Sequence, residues 1–359
     1  MGIVNSTITI PADKIIRQGY NPATPVIGVV TGTIGDGNSI VIKTYGAGAG
    51  PTLANIIYDE FDGGVAGNNV DATATVGAWT SVTDGTVTPK YVNDLYGSQL
   101  SADAIKADQI TNFDKTFASA VTEFFCSYAV KTPDLSYFPY ATAEEIFSIG
   151  SNWKIMWLLG ATGTPDNDLC IPTYSGTNIW SVGGNDVGFF TKTIENGTPS
   201  NIYQWDDWNR LSCWLKADPT NPDTVPGSFW FRGLPEGGTQ KIVTDSTFSF
   251  ANGTVPYSWS SFRIGGWHRD QTPDEALVNA LIANPYIAWG PGACSRVEIG
   301  DNADYESCTK LSICTPTAWA DGQVTFTLRK GSHANLTSKY LFLIDEANTV
   351  NNIGYPVPA

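Results

Sequence analysis

Short runs in which apolar and polar residues alternate with a period of two dominate this chain. Alternation of that kind predicts half-buried β-strands. The first runs are 26–34 (VIGVVTGTI) and 39–45 (SIVIKTY), and Asp36-Gly37 between them is a hairpin signal. Further runs stand at 116–130, 154–159, 189–194, 208–216, 228–232 and 261–265, separated by Gly/Pro/Asn/Asp clusters such as SVGGND and ENGTPSN. A strand series at this spacing predicts a two-sheet sandwich of jelly-roll type over 51–290. The tail repeats the rhythm at 295–300, 309–314, 323–329, 339–344 and 353–357, most clearly in Val324, Phe326 and Leu328.

One segment carries helix signals instead. Thr272 precedes Pro273, Asp274 and Glu275, which reads as an N-cap, a proline at N1 and a capping box. Leu277, Ala280 and Leu281 make an apolar stripe and Asn284-Pro285 a stop, so a short helix is predicted over 273–284.

The tail strands are too few for an immunoglobulin-like sandwich, which needs about seven. The two strands within 26–45 supply the missing pair. The expected organisation is therefore an extended arm at 1–24, a split seven-stranded sandwich at 25–50 and 291–359, and a jelly roll at 51–290 inserted between its parts. Insertions are tolerated at exposed corners where chain ends lie close together. The glycine loop Gly46–Gly50 (GAGAG) would be that corner, with Gly50 beside Gly292. It lacks the Lys and Ser/Thr of a phosphate-binding loop, and Pro51 follows it.

Composition narrows the function. The 359 residues carry a net charge of −15. That disfavours nucleic acid and anionic membrane surfaces, which attract basic patches. No apolar run is long enough to span a bilayer. The N-terminus has no basic stretch leading into a long apolar core, so no secretory signal is read there. The six cysteines include no C-x-x-C pair. They read as buried free thiols, with one disulfide among Cys294, Cys308 and Cys314 as the alternative.

The segment PVIGVVTGTIGDGNSIVIKTYGAGAG resembles the opening of an IPT/TIG domain, an immunoglobulin-like module. SRVEIG, LSICTPTAW, QVTFTLRKG and KYLFLIDEANTVNNIGYPV are similar to its later strands, although Tyr45 stands where the family has a corner Phe. NIIYDEFDGG, YQWDDWNRLSCWLKAD with GSFWFRG, and SFRIGGW resemble strands of a concanavalin-like (laminin-G type) jelly roll. Such hybrids look like virion surface proteins of tailed bacteriophages. That resemblance implies a non-enzymatic protein decorating a capsid or tail, with capsid or tail proteins and further copies of itself as partners, and a glycan as ligand.

The rival expectation is a polysaccharide lyase, a glycoside hydrolase or a secreted lectin using the jelly roll. A retaining glycosidase needs two neighbouring carboxylates. Asp59-Glu60-Phe61-Asp62 offers acids, for which plain turn chemistry or Ca²⁺ ligation are the simpler readings. A lyase needs a base and a cation. Arg263, His268 and Arg269 in SFRIGGWHRD supply those types, against a structural role for His268. Sugar stacking needs exposed aromatics with polar neighbours. Trp205, Trp208 and Trp267 beside Arg210 fit that description, against a core role in the sheet. The carbohydrate-binding candidates are thus Trp205, Trp208, Arg210, Arg263, Trp267, His268 and Arg269, with no catalytic residue and no cofactor assigned.

Overall fold

The computed structural model describes residues 8–9, 24–82, 88–106, 109–110, 113–131, 152–160, 168–175, 179–184, 191–196, 202–204, 206–218, 227–248, 258–268 and 280–358. Among the described residues every regular element is a strand, apart from the 3-10 turns Leu53–Asn55 and Tyr305–Ser307. No described helix is long and apolar enough to cross a membrane.

Two large antiparallel sheets face each other. One runs, in spatial order, Lys241–Phe248, Gly227–Pro235, Asn209–Lys216, Glu123–Lys131, Ala280–Trp289, Gln99–Lys106 and Tyr91–Tyr96, with short strands Ile56–Tyr58 and Gln109–Ile110 attached. The other runs Thr191–Asn196, Ile179–Gly184, Asp168–Ser175, Asn152–Gly160, Trp259–His268 and Phe113–Val121. Alternation decides what lies between them. Phe124, Cys126, Tyr128 and Val130 point inward with Leu211, Cys213, Leu215, Phe229 and Phe231. They meet Ile155, Met156, Leu158, Phe262 and Ile264 from the opposite sheet. This is a jelly-roll sandwich whose core is set by period-two strands.

A smaller β-structure joins strands from both ends of the chain. Its order is Ile8–Thr9, Val26–Thr31, Ser39–Tyr45, Gln323–Thr327, Leu311–Ala320, Arg296–Gly300, Tyr340–Ile344 and Tyr355–Pro356. Leu311–Ala320 belongs to two layers. Its first half pairs with Arg296–Gly300 and its second half with Gln323–Thr327, with a register shift after Pro316. Ile27, Val30, Ile40, Ile42, Val324 and Phe326 from one layer pack on Val297, Ile299, Leu341 and Leu343 from the other.

The two chain segments of this small sandwich are stitched directly. Ile40 pairs with Phe326 and Lys43 with Gln323. At the crossing point the Ser295 hydroxyl donates to the Ala49 carbonyl. Gly292 has φ +75°, and a Cβ there would lie 2.4 Å from the Gly50 carbonyl oxygen. Glycine is needed at 292 for both reasons.

The segment predicted as a helix over 273–284 differs. Residues 273–279 lie outside the described residues, and Ala280–Trp289 is a strand. Asn284-Pro285, read as a helix stop, is a bulge. Asn284 has φ +44°, and the register to Glu123–Lys131 shifts between Ala283 and Tyr286. The extra residue changes the phase of the strand, so Ile282 and Ile287 both face the core. Of the cysteines, Cys126, Cys213, Cys294, Cys308 and Cys314 are free and buried, so the alternative disulfide among the last three is not formed.

Candidate functional site

The outward face of the sheet containing Asn209–Lys216 is not open to solvent over most of its area. Ala293, Cys294 and Ile313 of the small sandwich pack on Phe125, Trp214, Trp230 and Tyr286. A polar layer lies beside this apolar one. Arg232 Nη1 donates to Glu298 Oε2 at 3.0 Å, and Arg296 Nε to Glu298 Oε1 at 2.5 Å. All three side chains are essentially unexposed. Both guanidiniums also donate to the Tyr305 hydroxyl, and Arg232 Nη2 reaches Ser212 Oγ. Burial alone would raise the Glu298 carboxyl, but the charges of Arg232 and Arg296 outweigh it and hold the group down at about 2. Burial pushes the Tyr305 hydroxyl up to about 12, against the pull of the two guanidiniums.

Where the covering stops, a groove begins. It has a volume of about 770 Å³ and runs between the edge of the large sheet and the loops of the small sandwich. Trp214, Trp230 and Ile242 form its floor. Tyr305, Glu306, Glu346, Ala347 and Asn348 form the facing wall, and Arg296 lies at its base. The indoles are held firmly. Trp214 Nε1 donates to Glu123, and Trp230 stacks on Phe125 with Arg296 and Arg232 over its ring. Each of these tryptophans keeps 6–7% of its surface exposed. Lys216 pairs with Glu123 at 3.4 Å. The rim is polar: Thr244, Ser246, Glu306 and Glu346 are exposed. Glu346 also accepts from the Ala49 amide, tying the wall to the corner where the chain crosses.

The residues singled out in the sequence lie elsewhere. Trp208 is buried against Tyr96, with ring centroids 5.2 Å apart. Arg210 is buried and donates to Tyr96 and Ser127. Neither lines the groove: Trp208 packs with Tyr96, Leu281 and Ala283 further along the same side of the sheet. Arg263 projects from the second sheet, opposite Phe262 and Ile264, and pairs with Asp114 at 2.7 Å. Trp267 and His268 end strand Trp259–His268, opposite Lys154 and Trp153, and their side chains lie outside the described residues. Trp205 and Arg269 also lie outside them. Of the described side chains, Trp208 and Arg210 share Tyr96 as a neighbour, while Arg263 lies on the other large sheet.

Asp59 and Glu60 are committed to internal bonds, while Asp62 is exposed. Asp59 accepts from the Phe61 amide and from Trp79 Nε1, and burial raises its carboxyl to about 6. Glu60 accepts from Tyr58, Gln99 and Arg329. Turn and domain-junction bonds therefore engage the carboxylates of Asp59 and Glu60. Among the described residues no group of three or more His, Cys, Asp or Glu is placed to hold a metal. Trp214 and Trp230 were visible in the sequence only as strand residues within WNRLSCWLK and SFWFR. Nothing local distinguishes an indole at a domain junction from one in a core.

No protein-family model matches the chain and no curated protein matches it by sequence, so the IPT/TIG resemblance rests on the strand pattern alone. Solved structures are similar in fold. The PL-14 alginate lyase of Aplysia kurodai superposes with a TM-score of 0.44 at 9% identity, over 66% of this chain and 99% of that one. Alginate lyase Aly36B gives 0.42 at 10% identity, over 66% and 98%. Lectin II of Ulex europaeus gives 0.33 at 12% identity, over 71% and 100%. Likeness at such identities describes the fold and carries no residue roles across.

Proposed function

We propose that this protein binds a saccharide, without turning it over, in the groove between its jelly roll and its small sandwich. The observation that supports this reading is the groove itself. Its volume lies within the roughly 300–1,000 Å³ of small-molecule sites. Tryptophans on its floor face a rim of hydroxyls and carboxylates. That mixture suits a sugar, which presents apolar C–H faces and many hydroxyls at once. The floor and wall are preorganised by buried bonds, so little ordering is lost on binding. The virion-surface setting expected from the sequence stays attached to this proposal as a display role. It rests on the architectural resemblance alone.

The test is titration of the protein with a panel of oligosaccharides, followed by tryptophan fluorescence and calorimetry. Binding that shifts the fluorescence and weakens in Thr244→Arg supports the groove. Absence of binding across the panel overturns it.

A second reading, lyase action, is favoured by one specific arrangement. Tyr305 sits between Arg232 and Arg296 at the base of the groove, a hydroxyl next to two cations. Against it, burial holds the Tyr305 proton far above neutral pH, which is wrong for a general base. Unsaturated products formed from a uronate polymer and lost in Tyr305→Phe would establish the second reading over the first.

A further inference from the structure

The charge around the groove selects among saccharides. Three carboxylates line it: Asp245, Glu306 and Glu346. Of the two cations beside them, Arg296 is buried and fully engaged, while Lys216 stays exposed. Lys216 pairs with Glu123, and Arg296 donates to Glu298 from beneath the floor, with its side chain essentially unexposed. Arg296 Nη1 is further taken by the Cys294 carbonyl and by Asn348 Oδ1. A ligand entering the groove therefore meets exposed carboxylates on Glu306 and Glu346, with Lys216, which is exposed and paired with Glu123, as the one exposed cation of the lining. The field of the whole chain, at −15, has the same sign.

Resting on the saccharide-binding reading, we propose that the groove is specific for glycans carrying protonated amines, of the glucosamine type, and rejects uronate polymers. An amine on such a sugar is placed to donate to Glu306 or Glu346 across the wall. A uronate carboxylate would instead face like charges, and no free guanidinium is offered to it at the floor. Like-charge juxtaposition is an effective way to refuse a partner of similar shape.

The experiment measures affinity for three oligomers of equal length by calorimetry: glucosamine, N-acetylglucosamine and mannuronate, at a pH that keeps the amines protonated. The glucosamine oligomer is expected to bind at least about tenfold more tightly than the mannuronate oligomer at low salt, and the gap to close as salt is added. Glu306→Gln with Glu346→Gln should remove most of that gap; the glutamine at 346 keeps an oxygen for the Ala49 amide. Equal or tighter binding of mannuronate, weakened by the neutral obstruction Ala347→Gln, would overturn the charge selection and leave the groove standing. Binding of any oligomer that Ala347→Gln does not weaken, or no binding of all three, would overturn both.

Discussion

Arg232 of the jelly roll and Glu298 of the small sandwich meet at 3.0 Å with neither side chain exposed. The pair spans a boundary between two β-structures that are distant in sequence. A buried pair broken from one side leaves an uncompensated charge, which costs about 3–5 kcal/mol. Glu298→Ala is expected to lose about that much in urea unfolding, and Arg232→Met in the Glu298→Leu background should recover only part of it, because Arg296 stays buried without its carboxylate. The pair also sets an acid limit. The folded carboxyl is held at about 2 against an ordinary 4.5, so its stabilisation is complete above about 4.5 and is lost as pH falls toward 2. Glu298→Gln should flatten the stability profile in that window.

His333 predicts a second acid effect at higher pH. Its ring is buried, its Nε2 donates to the Ile299 carbonyl, and burial lowers its pKa from 6.5 to about 4. A neutral buried imidazole stabilises fully above about 6.5 and loses that contribution as pH falls through 4, roughly 3 kcal/mol in all. NMR titration of the imidazole protons should give a midpoint near 4. A midpoint near 6.5 would show the ring to be solvated.

Gly292→Ala should cost at least about 2 kcal/mol, since a Cβ meets the Gly50 carbonyl and the φ is positive. Gly63 has no neighbour within 4 Å of its virtual Cβ and is exposed. Gly63→Ala should stay within about 0.5 kcal/mol of the parent. Thermal unfolding of both variants measures the contrast. Equal losses would mean that the crossing of the two chain segments is not close-packed.

The buried thiols should be silent in the folded protein. Burial raises Cys308 to about 11 and Cys294 and Cys314 to about 12, and raises Cys126 and Cys213 as well. A Cys170→Ser variant is expected to react with an aromatic disulfide reagent only after unfolding, and then at all remaining thiols. Rapid labelling at neutral pH in the folded state would contradict this.

Much of the fold was legible because it is written in short-range alternation. Val324, Phe326 and Leu328 and the hairpin at Asp36-Gly37 identify their strands without any partner in view. Tyr91–Tyr96 was not legible. Asn93 and Asp94 interrupt its apolar residues, and it becomes a strand because Gln99–Lys106 offers it a ladder. Ala280–Trp289 misled for a physical reason: a bulge at Asn284-Pro285 broke the period that would have revealed it. The site was the least legible part. Strand alternation tells which side of a sheet Trp214 and Trp230 occupy. It does not tell what covers that side, because the covering comes from residues 293–350, which are brought there only by tertiary packing.

The crossing at Gly50 and Gly292 also orders events during synthesis. The hairpin of Val26–Thr31 and Ser39–Tyr45 leaves the ribosome early, yet its sheet partner Gln323–Thr327 is among the last strands made. Through most of translation its free edge has nothing to join, while the jelly-roll strands Glu123–Lys131, Asn209–Lys216 and Gly227–Pro235 already have one another. The large sandwich is thus able to close first. The small one is completed at the end, and with it the wall of the groove, so that a truncated chain would carry the floor of the site without its facing side.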